Sequence, residues 1–135
     1  MRRILPAPRT DYGLLLLRII VAAVLLFHGV FKLTHGVEWI RGPLGRFGLP
    51  GWPAYGVYLA EIVAPILLVL GVVARWAALV IAFDMLMAIL LVGQQRVLTV
   101  NRAGGWGIEL EALIGLSALT IAIAGTGRFA ALRDT

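Results

Sequence analysis

Long apolar runs, separated by short polar or glycine- and proline-rich connections, dominate the chain. Four runs stand out, and they cover residues 13–33, 55–74, 76–93 and 107–126. Each run is long enough to cross a bilayer, which takes about 20 mostly apolar residues. They are hydrophobic around most of the helix circumference, unlike the amphipathic helices of soluble domains. The pattern predicts an all-α, polytopic membrane protein with four transmembrane helices.

The connections between the runs favour a compact bundle. Only a tight turn fits between the second and third runs, at residues 71–76, so these two helices should be antiparallel. The connection over residues 34–54 is rich in glycine, proline and aromatic residues, and we expect it to lie at the interface or to fold back over the bundle. We therefore predict a single domain, residues 1–135, built as an antiparallel four-transmembrane-helix bundle.

Composition agrees with a membrane location. The chain is 61% hydrophobic and 14% charged, whereas soluble domains carry roughly 45–50% apolar and about 25% charged residues. The sequence contains no cysteine, which excludes disulfides, cysteine-ligated zinc and iron–sulfur clusters. The net charge is +5, but the basic residues sit at the ends of apolar runs. They are therefore interpreted as membrane-orienting charges, and we expect no nucleic-acid partner.

The distribution of basic residues predicts the orientation. With the N-terminus inside, the inner segments carry Arg2, Arg3, Arg9, Arg75, Arg128 and Arg133. The outer segments carry Arg41, Arg46, Arg96 and Arg102, with Lys32 at a helix end. Because cytoplasmic segments are enriched in lysine and arginine, the counts favour an N-in/C-in topology.

Ionisable residues inside the apolar runs are the main candidates for function. A charge at the bilayer centre costs at least about 2.5–3.5 kcal/mol, so such a residue usually faces protein or water and has a partner. The runs contain Arg18, His28, Lys32, Glu61, Asp84, Glu109 and Glu111. With a rise of about 1.5 Å per residue, most of these residues fall in the outer half of the bundle.

Four of these residues form the predicted ligand-binding or proton-relay site: His28, Lys32, Glu61 and Glu109. His28 and Lys32 are i, i+4 neighbours on one helix face. The fourth helix also carries Glu111, but the two glutamates point in different directions, and we favour Glu109 as the one that faces the bundle. No catalytic residue is assigned.

A structural interpretation competes with this one, because opposite charges also tie membrane helices together. Arg18 and Asp84 lie within about a turn of the same depth, and we predict that they form a structural ion pair. No metal site is expected, since both histidines lie on one segment and no Glu-x-x-His pair exists. Pro65 follows Glu61 by four residues, so it should free the Glu61 carbonyl and kink the second helix.

Several short motifs, in this order and spacing, resemble the DoxX family of small four-helix membrane proteins. They are Leu17-Arg18, the segment 27–33 (FHGVFKL), Gly48-Leu49-Pro50, Ala60-Glu61, the segment 67–71 (LLVLG), Gly104-Gly105-Trp106 with Glu109, and Gly125-Thr126-Gly127-Arg128. The resemblance covers about residues 14–128. It departs from the family pattern at Gln94-Gln95, where relatives often carry a histidine, and at Leu132, where an aspartate is usual.

The resemblance implies a multi-pass protein of the bacterial cytoplasmic membrane that is associated with membrane redox systems, including quinone-linked ones. We expect at most an accessory oxidoreductase subunit, with no intrinsic cofactor and with a quinone or similar amphipathic ligand in an outer polar pocket. Expected partners are the lipid bilayer and other membrane or redox subunits, or further copies of the chain. The alternatives are a non-catalytic assembly or scaffold subunit and, with less support, a small-solute transporter.

Overall fold

The computed structural model describes residues 8–132, and the regular structure in this range is helical. We number the helices α1 (Arg9–His35), α2 (Arg41–Arg46), α3 (Trp52–Leu70), α4 (Ala74–Arg96) and α5 (Glu109–Ala124). A short 3-10 turn, Glu38–Ile40, precedes α2. In the connection between α4 and α5 a single bridge pairs Val100 with Trp106. The predicted topogenic residues Arg2, Arg3 and Arg133 lie outside the described range.

Three of the helices, α1, α3 and α4, are long and apolar enough to cross a membrane. The fourth long helix, α5, has 16 residues and is shorter than the run predicted for it. The observed α1 and α3 begin before the predicted runs, because polar and aromatic residues at their starts continue the helix. The protein is therefore an all-α membrane protein with three candidate spans and one further long helix, α5.

The four long helices alternate in direction around a common core. A turn over residues 71–73 reverses the chain between α3 and α4. Arg18, near the start of α1, reaches the carbonyls at the end of α3 and just after α5. The starts of α1 and α4 therefore lie beside the ends of α3 and α5.

Glycine is needed at the turn between α3 and α4. Gly71 has φ +69°, a left-handed conformation that ends α3 and that residues with a Cβ rarely adopt. A Cβ at this position would also lie 2.7 Å from the Cα of Ala130. The turn thus holds the segment after α5 against the end of α3, where Ala131 N donates a hydrogen bond to Leu70 O at 2.9 Å.

Small residues let the helices approach closely, as is common between membrane helices. The buried core of the bundle contains Val21, Leu25, Ala64, Leu68, Ala74, Ala77, Ala78, Ile81, Met85, Ile114, Ala118 and Ile121. A second cluster of Val37, Ile40, Leu44 and Ala54 is buried beneath the connection from α1 to α3. Large apolar side chains such as Phe27, Leu113 and Ile123 point outward, as expected for helices in contact with lipid.

Candidate functional site

A lysine from α1 and a glutamate from α3 form the central contact of the candidate site. Lys32 Nζ donates a hydrogen bond to Glu61 Oε1 at 2.5 Å, and both side chains are largely shielded from solvent. The ammonium also lies 6.0 Å from the centroid of the Trp39 ring. The hydroxyl of Tyr58 donates to the carbonyl of Lys32 at 3.1 Å, which fixes the end of α1 against α3.

The backbone around Glu61 departs from a regular α-helix. Residues Leu59–Val63 form a π turn, a feature that recurs at functional sites. Pro65 follows within α3 and has no N–H to donate to the Glu61 carbonyl, in agreement with the irregularity expected there. This combination widens the helix at the residue that carries the buried carboxylate.

A glycine of α1 packs against the same carbonyl. An ideal Cβ on Gly29 would lie 2.5 Å from Glu61 O and 2.7 Å from Cγ1 of Ile62, so only glycine fits at this distance. Lys32 follows one helical turn later. The close approach of α1 and α3 at Gly29 therefore brings the lysine within reach of Glu61.

A second carboxylate enters the site from α4. Asp84 interacts electrostatically with Glu61 and Lys32 and lines the same cavity. We call Lys32, Glu61 and Asp84 the charged cluster. The cluster combines one ammonium with two carboxylates.

The predicted ion pair between Arg18 and Asp84 is wrong, because the structure places the two residues at different levels of the bundle. Asp84 lies with Lys32, which is 14 residues from Arg18 and hence about 21 Å away along α1. The arginine points toward the opposite end of the bundle. Asp84 is thus part of the candidate site and not of a separate structural pair.

Arg18 is fully buried, with 0% of its surface exposed, and it binds backbone carbonyls. Its Nε donates to Leu68 O at 2.7 Å and its Nη2 to Val69 O at 2.8 Å. Its Nη1 donates to Thr126 O at 2.9 Å and to Phe129 O at 2.6 Å. The last carbonyls of a helix have no partner within the helix, and the planar guanidinium offers five donors to satisfy them. These acceptors explain why Arg18 does not need Asp84.

The charged cluster lies in the wall of a large cavity between α3, α4 and the connection that precedes α3. The cavity has a volume of about 600 Å³, within the range of small-molecule sites. The rest of its lining is mostly apolar and includes Trp39, Leu44, Trp76, Phe83 and Leu91. An apolar chamber with a few convergent polar groups is the usual form of a site for an amphipathic molecule.

A smaller cavity, of about 270 Å³, lies beside the large one. Lys32, Glu61 and Trp39 line both cavities, so the ion pair belongs to a shared wall. The smaller cavity also contains His28 and Glu111. His28 therefore shares the smaller cavity with Lys32 and Glu61 but does not line the large cavity.

The preference for Glu109 over Glu111 on the fourth helix is wrong. Glu109 is the first residue of α5 and is exposed, and its carboxylate turns toward the loop, where a Cβ on Gly105 would lie 2.5 Å from Oε1. Glu111 lines the smaller cavity instead, and its Oε1 accepts a hydrogen bond from Nη2 of Arg96 at 2.7 Å. The two glutamates lie about 200° apart around the helix axis, so only one of them can face the other helices of the bundle. Because Glu109 is the first residue of α5, its side chain lies beside the preceding loop, and Glu111 is the one that faces the bundle.

A signal for the position of Asp84 is present in the sequence, in its spacing from the turn at Gly71. Glu61 lies 10 residues before Gly71 and Asp84 lies 13 residues after it. In a helical hairpin that turns at Gly71, two such positions come to similar depths. The contact between Lys32 and the Trp39 ring has no comparable signal, because it depends on the path of an irregular connection.

One oxygen of the cluster has no hydrogen-bond partner within residues 8–132. Glu61 Oε2 is buried and unpaired, whereas Oε1 of the same carboxylate is bonded to Lys32. Buried acceptors are rarely left unsatisfied in folded proteins. Across the same described range, no cluster of three or more histidine, cysteine, aspartate or glutamate residues could hold a metal ion.

Comparison with known proteins places these residues in a family context. The family model DoxX matches residues 13–94, a segment that carries the whole charged cluster. The chain is 29% identical to the protein named putative oxidoreductase CatD from Bacillus subtilis (strain 168) over 122 residues. This alignment covers 90% of the chain and 85% of CatD. No solved structure matches the chain with significance.

Proposed function

Because the chain belongs to the DoxX family, we propose that it is a small integral membrane subunit of a redox system that binds a quinone or another amphipathic ligand. The proposed site is the large cavity, in the outer half of a four-span, N-in/C-in bundle in the bacterial cytoplasmic membrane. The Bacillus relative carries the word oxidoreductase in its name, which supports the association with redox chemistry.

The observation that carries the proposal is the charged cluster in the wall of an otherwise apolar cavity. Charged side chains within membrane helices are costly, and they commonly mark binding sites and proton relays. Lys32, Glu61 and Asp84 come from three different helices and converge on the same space. A head group of a ligand can reach them while its apolar tail packs against the aromatic and aliphatic lining.

Each member of the predicted site has a role in this proposal. The ammonium of Lys32 donates a hydrogen bond to the head group, and the Glu61 carboxylate accepts or delivers a proton. His28 lies in the smaller cavity and connects this carboxylate to the outer surface. Glu109 is left out, because it lines neither of the two cavities.

Electrons in this scheme come from a partner subunit. The sequence has no cysteine, and both of its histidines lie on α1. His35, the second of them, stacks on Phe31 with ring centroids 4.0 Å apart. The chain therefore supplies the binding site and proton-exchanging groups, and the partner supplies the redox centre.

The fourth span of the proposed topology is α5 with its neighbours. Its 16 residues cover about 24 Å, somewhat less than the hydrocarbon core of about 30 Å. The helix packs along α4 through Gly115, whose ideal Cβ would lie 3.2 Å from Cβ of Met85. A helix that follows a spanning neighbour so closely is expected to cross with it.

The proposal is tested with Glu61→Gln in membranes that contain the assembled complex. We expect quinone-linked turnover per complex to fall at least about tenfold, because the amide can no longer exchange a proton. Glu38→Gln is the matched control: Glu38 is exposed, pairs with Arg41 and does not line the large cavity. Unchanged turnover in Glu61→Gln would refute the proposed role.

A scaffold subunit is the second candidate, and the bonds of Arg18 favour it. This side chain donates hydrogen bonds to carbonyls at helix ends, and Asp11 similarly accepts a hydrogen bond from the Arg128 N–H at 3.1 Å. If the charged cluster has the same purpose, Glu61→Gln will lower the abundance of the complex and leave its turnover per complex intact. The same experiment therefore separates the two candidates.

A further inference from the structure

We propose that Glu61 and Asp84 hold one proton between them and form a proton-transfer site in the wall between the two cavities. The inference deepens the proton-exchanging role of Glu61, and it rests on the proposed function only for the molecule that takes the proton. It assigns a role to Asp84, which the proposed function leaves without one.

The two carboxyl groups come from the neighbouring helices α3 and α4 and meet in the charged cluster. Asp84 lies within hydrogen-bonding reach of Glu61. Two ionised carboxylates only accept hydrogen bonds, so they cannot bond to each other. A proton on either group supplies the missing donor. Such a proton can also satisfy Glu61 Oε2, which is buried and otherwise unpaired in the described part of the chain.

The charges around the pair indicate that it keeps one proton. Among the described residues that line the large cavity, Lys32 is the only cation, and its bond to Glu61 neutralises one carboxylate. In the smaller cavity, Arg96 is already paired with Glu111, and His28 is exposed. One acidic group of the cluster is left over, and an unneutralised carboxylate is costly in a mostly apolar wall. When two carboxyl groups share a site, one of them retains its proton.

The position of the pair gives the proton a path. Glu61 lines both cavities, whereas Asp84 lines the large cavity and not the smaller one. When the proton passes to an acceptor in the large cavity, a second carboxylate is left beside Lys32. A proton from water in the smaller cavity then replaces it through Glu61. Only bonds between hydrogen and its two partners break and form in this step.

The test is infrared spectroscopy of the full-length protein in phosphatidylcholine nanodiscs at neutral pH, in light and in heavy water. A protonated carboxyl group has a C=O stretching band that is separate from the carboxylate bands and shifts in heavy water. We expect this band in the wild type and its loss in both Asp84→Asn and Glu61→Gln. In either variant the remaining carboxyl group pairs with Lys32 and ionises.

Three further variants are matched to these two. Glu38→Gln, at an exposed ion pair, and His28→Asn should both keep the band. Lys32→Met should keep it too, because two adjacent carboxyl groups without an ammonium retain at least one proton. If Glu61→Gln does not fold, isotope labelling of the wild type replaces it. Carbon-13 in the side-chain carboxyl of glutamate, or of aspartate, should each shift part of the band.

The outcomes separate this inference from the proposed function. Absence of the band in the wild type overturns the inference and leaves the large cavity as a ligand site. A band that is lost in only one of Asp84→Asn and Glu61→Gln, or that shifts with only one label, overturns it as well, because the proton then belongs to a single residue. Loss of the band in Lys32→Met, His28→Asn or Glu38→Gln also contradicts it. Unchanged turnover in Glu61→Gln refutes the proposed function, whereas the band and its loss in both variants would still establish the shared proton.

Discussion

Replacing Arg18 by methionine removes the side chain that joins α1 to the ends of α3 and α5. Four backbone carbonyls lose a charged donor in this variant. A buried acceptor left without a partner costs about 1–3 kcal/mol. Even at the lower limit, four carbonyls give a loss of about 4 kcal/mol in the free energy of unfolding. Methionine fills much of the vacated space, so lost packing contributes little.

The assay is an equilibrium titration of the protein with sodium dodecyl sulfate in mixed micelles, followed by far-ultraviolet circular dichroism. Arg18→Lys should lose about half as much, since an ammonium keeps the charge but not the planar fork of donors. Arg102→Met, in an exposed loop, is the control and should stay within about 0.5 kcal/mol of the wild type. An Arg18→Met variant within about 1 kcal/mol of the wild type would contradict the reasoning.

Three further predictions use the same chain. Gly29→Ala should lower the free energy of unfolding by about 1–3 kcal/mol in the same titration, whereas Gly13→Ala, whose Cβ would meet nothing within 4 Å, should not be destabilising. Equal stabilities would contradict the close helix contact. Arg96→Met should cost less than about 1 kcal/mol, because the Arg96 side chain is 45% exposed where it pairs with Glu111 and donates to Gly107 O; a larger loss would show that these contacts contribute more than their exposure allows. For the topology, a membrane-impermeant maleimide should label Ala103→Cys in intact cells and Ala131→Cys only after permeabilisation; the reverse pattern would overturn the N-in/C-in orientation.

Hydrophobic runs were sufficient to predict an all-α membrane protein, because the bilayer sets a minimum length for each span. They did not locate the helix ends well. The segment that begins at Trp52 contains Pro53 and Gly56, yet it forms the first turns of α3. Proline is tolerated in the first turn of a helix, where its missing N–H has no partner to lose.

The candidate site was predictable only in part. Spacing along α1 placed His28 and Lys32 on one face, and the depth of Glu61 made it a candidate partner of the lysine. The partners of Arg18 could not be predicted in this way, because they are backbone carbonyls, which leave no mark in the sequence. The position of Asp84 beside Glu61, in contrast, follows from their spacing from the turn at Gly71. The choice between Glu109 and Glu111 depended on the exact start of α5, which is set by the loop before it.

The two chambers share a single ion pair, and this has a thermodynamic consequence. An occupant of the larger chamber that draws the Lys32 ammonium toward itself changes the potential felt at His28 and Glu111 in the smaller one. By linkage, the factor by which such an occupant changes proton affinity in the smaller cavity equals the factor by which protonation there changes the affinity of the large cavity for the occupant. If the proposed ligand binds in the large cavity, its uptake and proton uptake in the smaller cavity would be two readings of one coupled equilibrium.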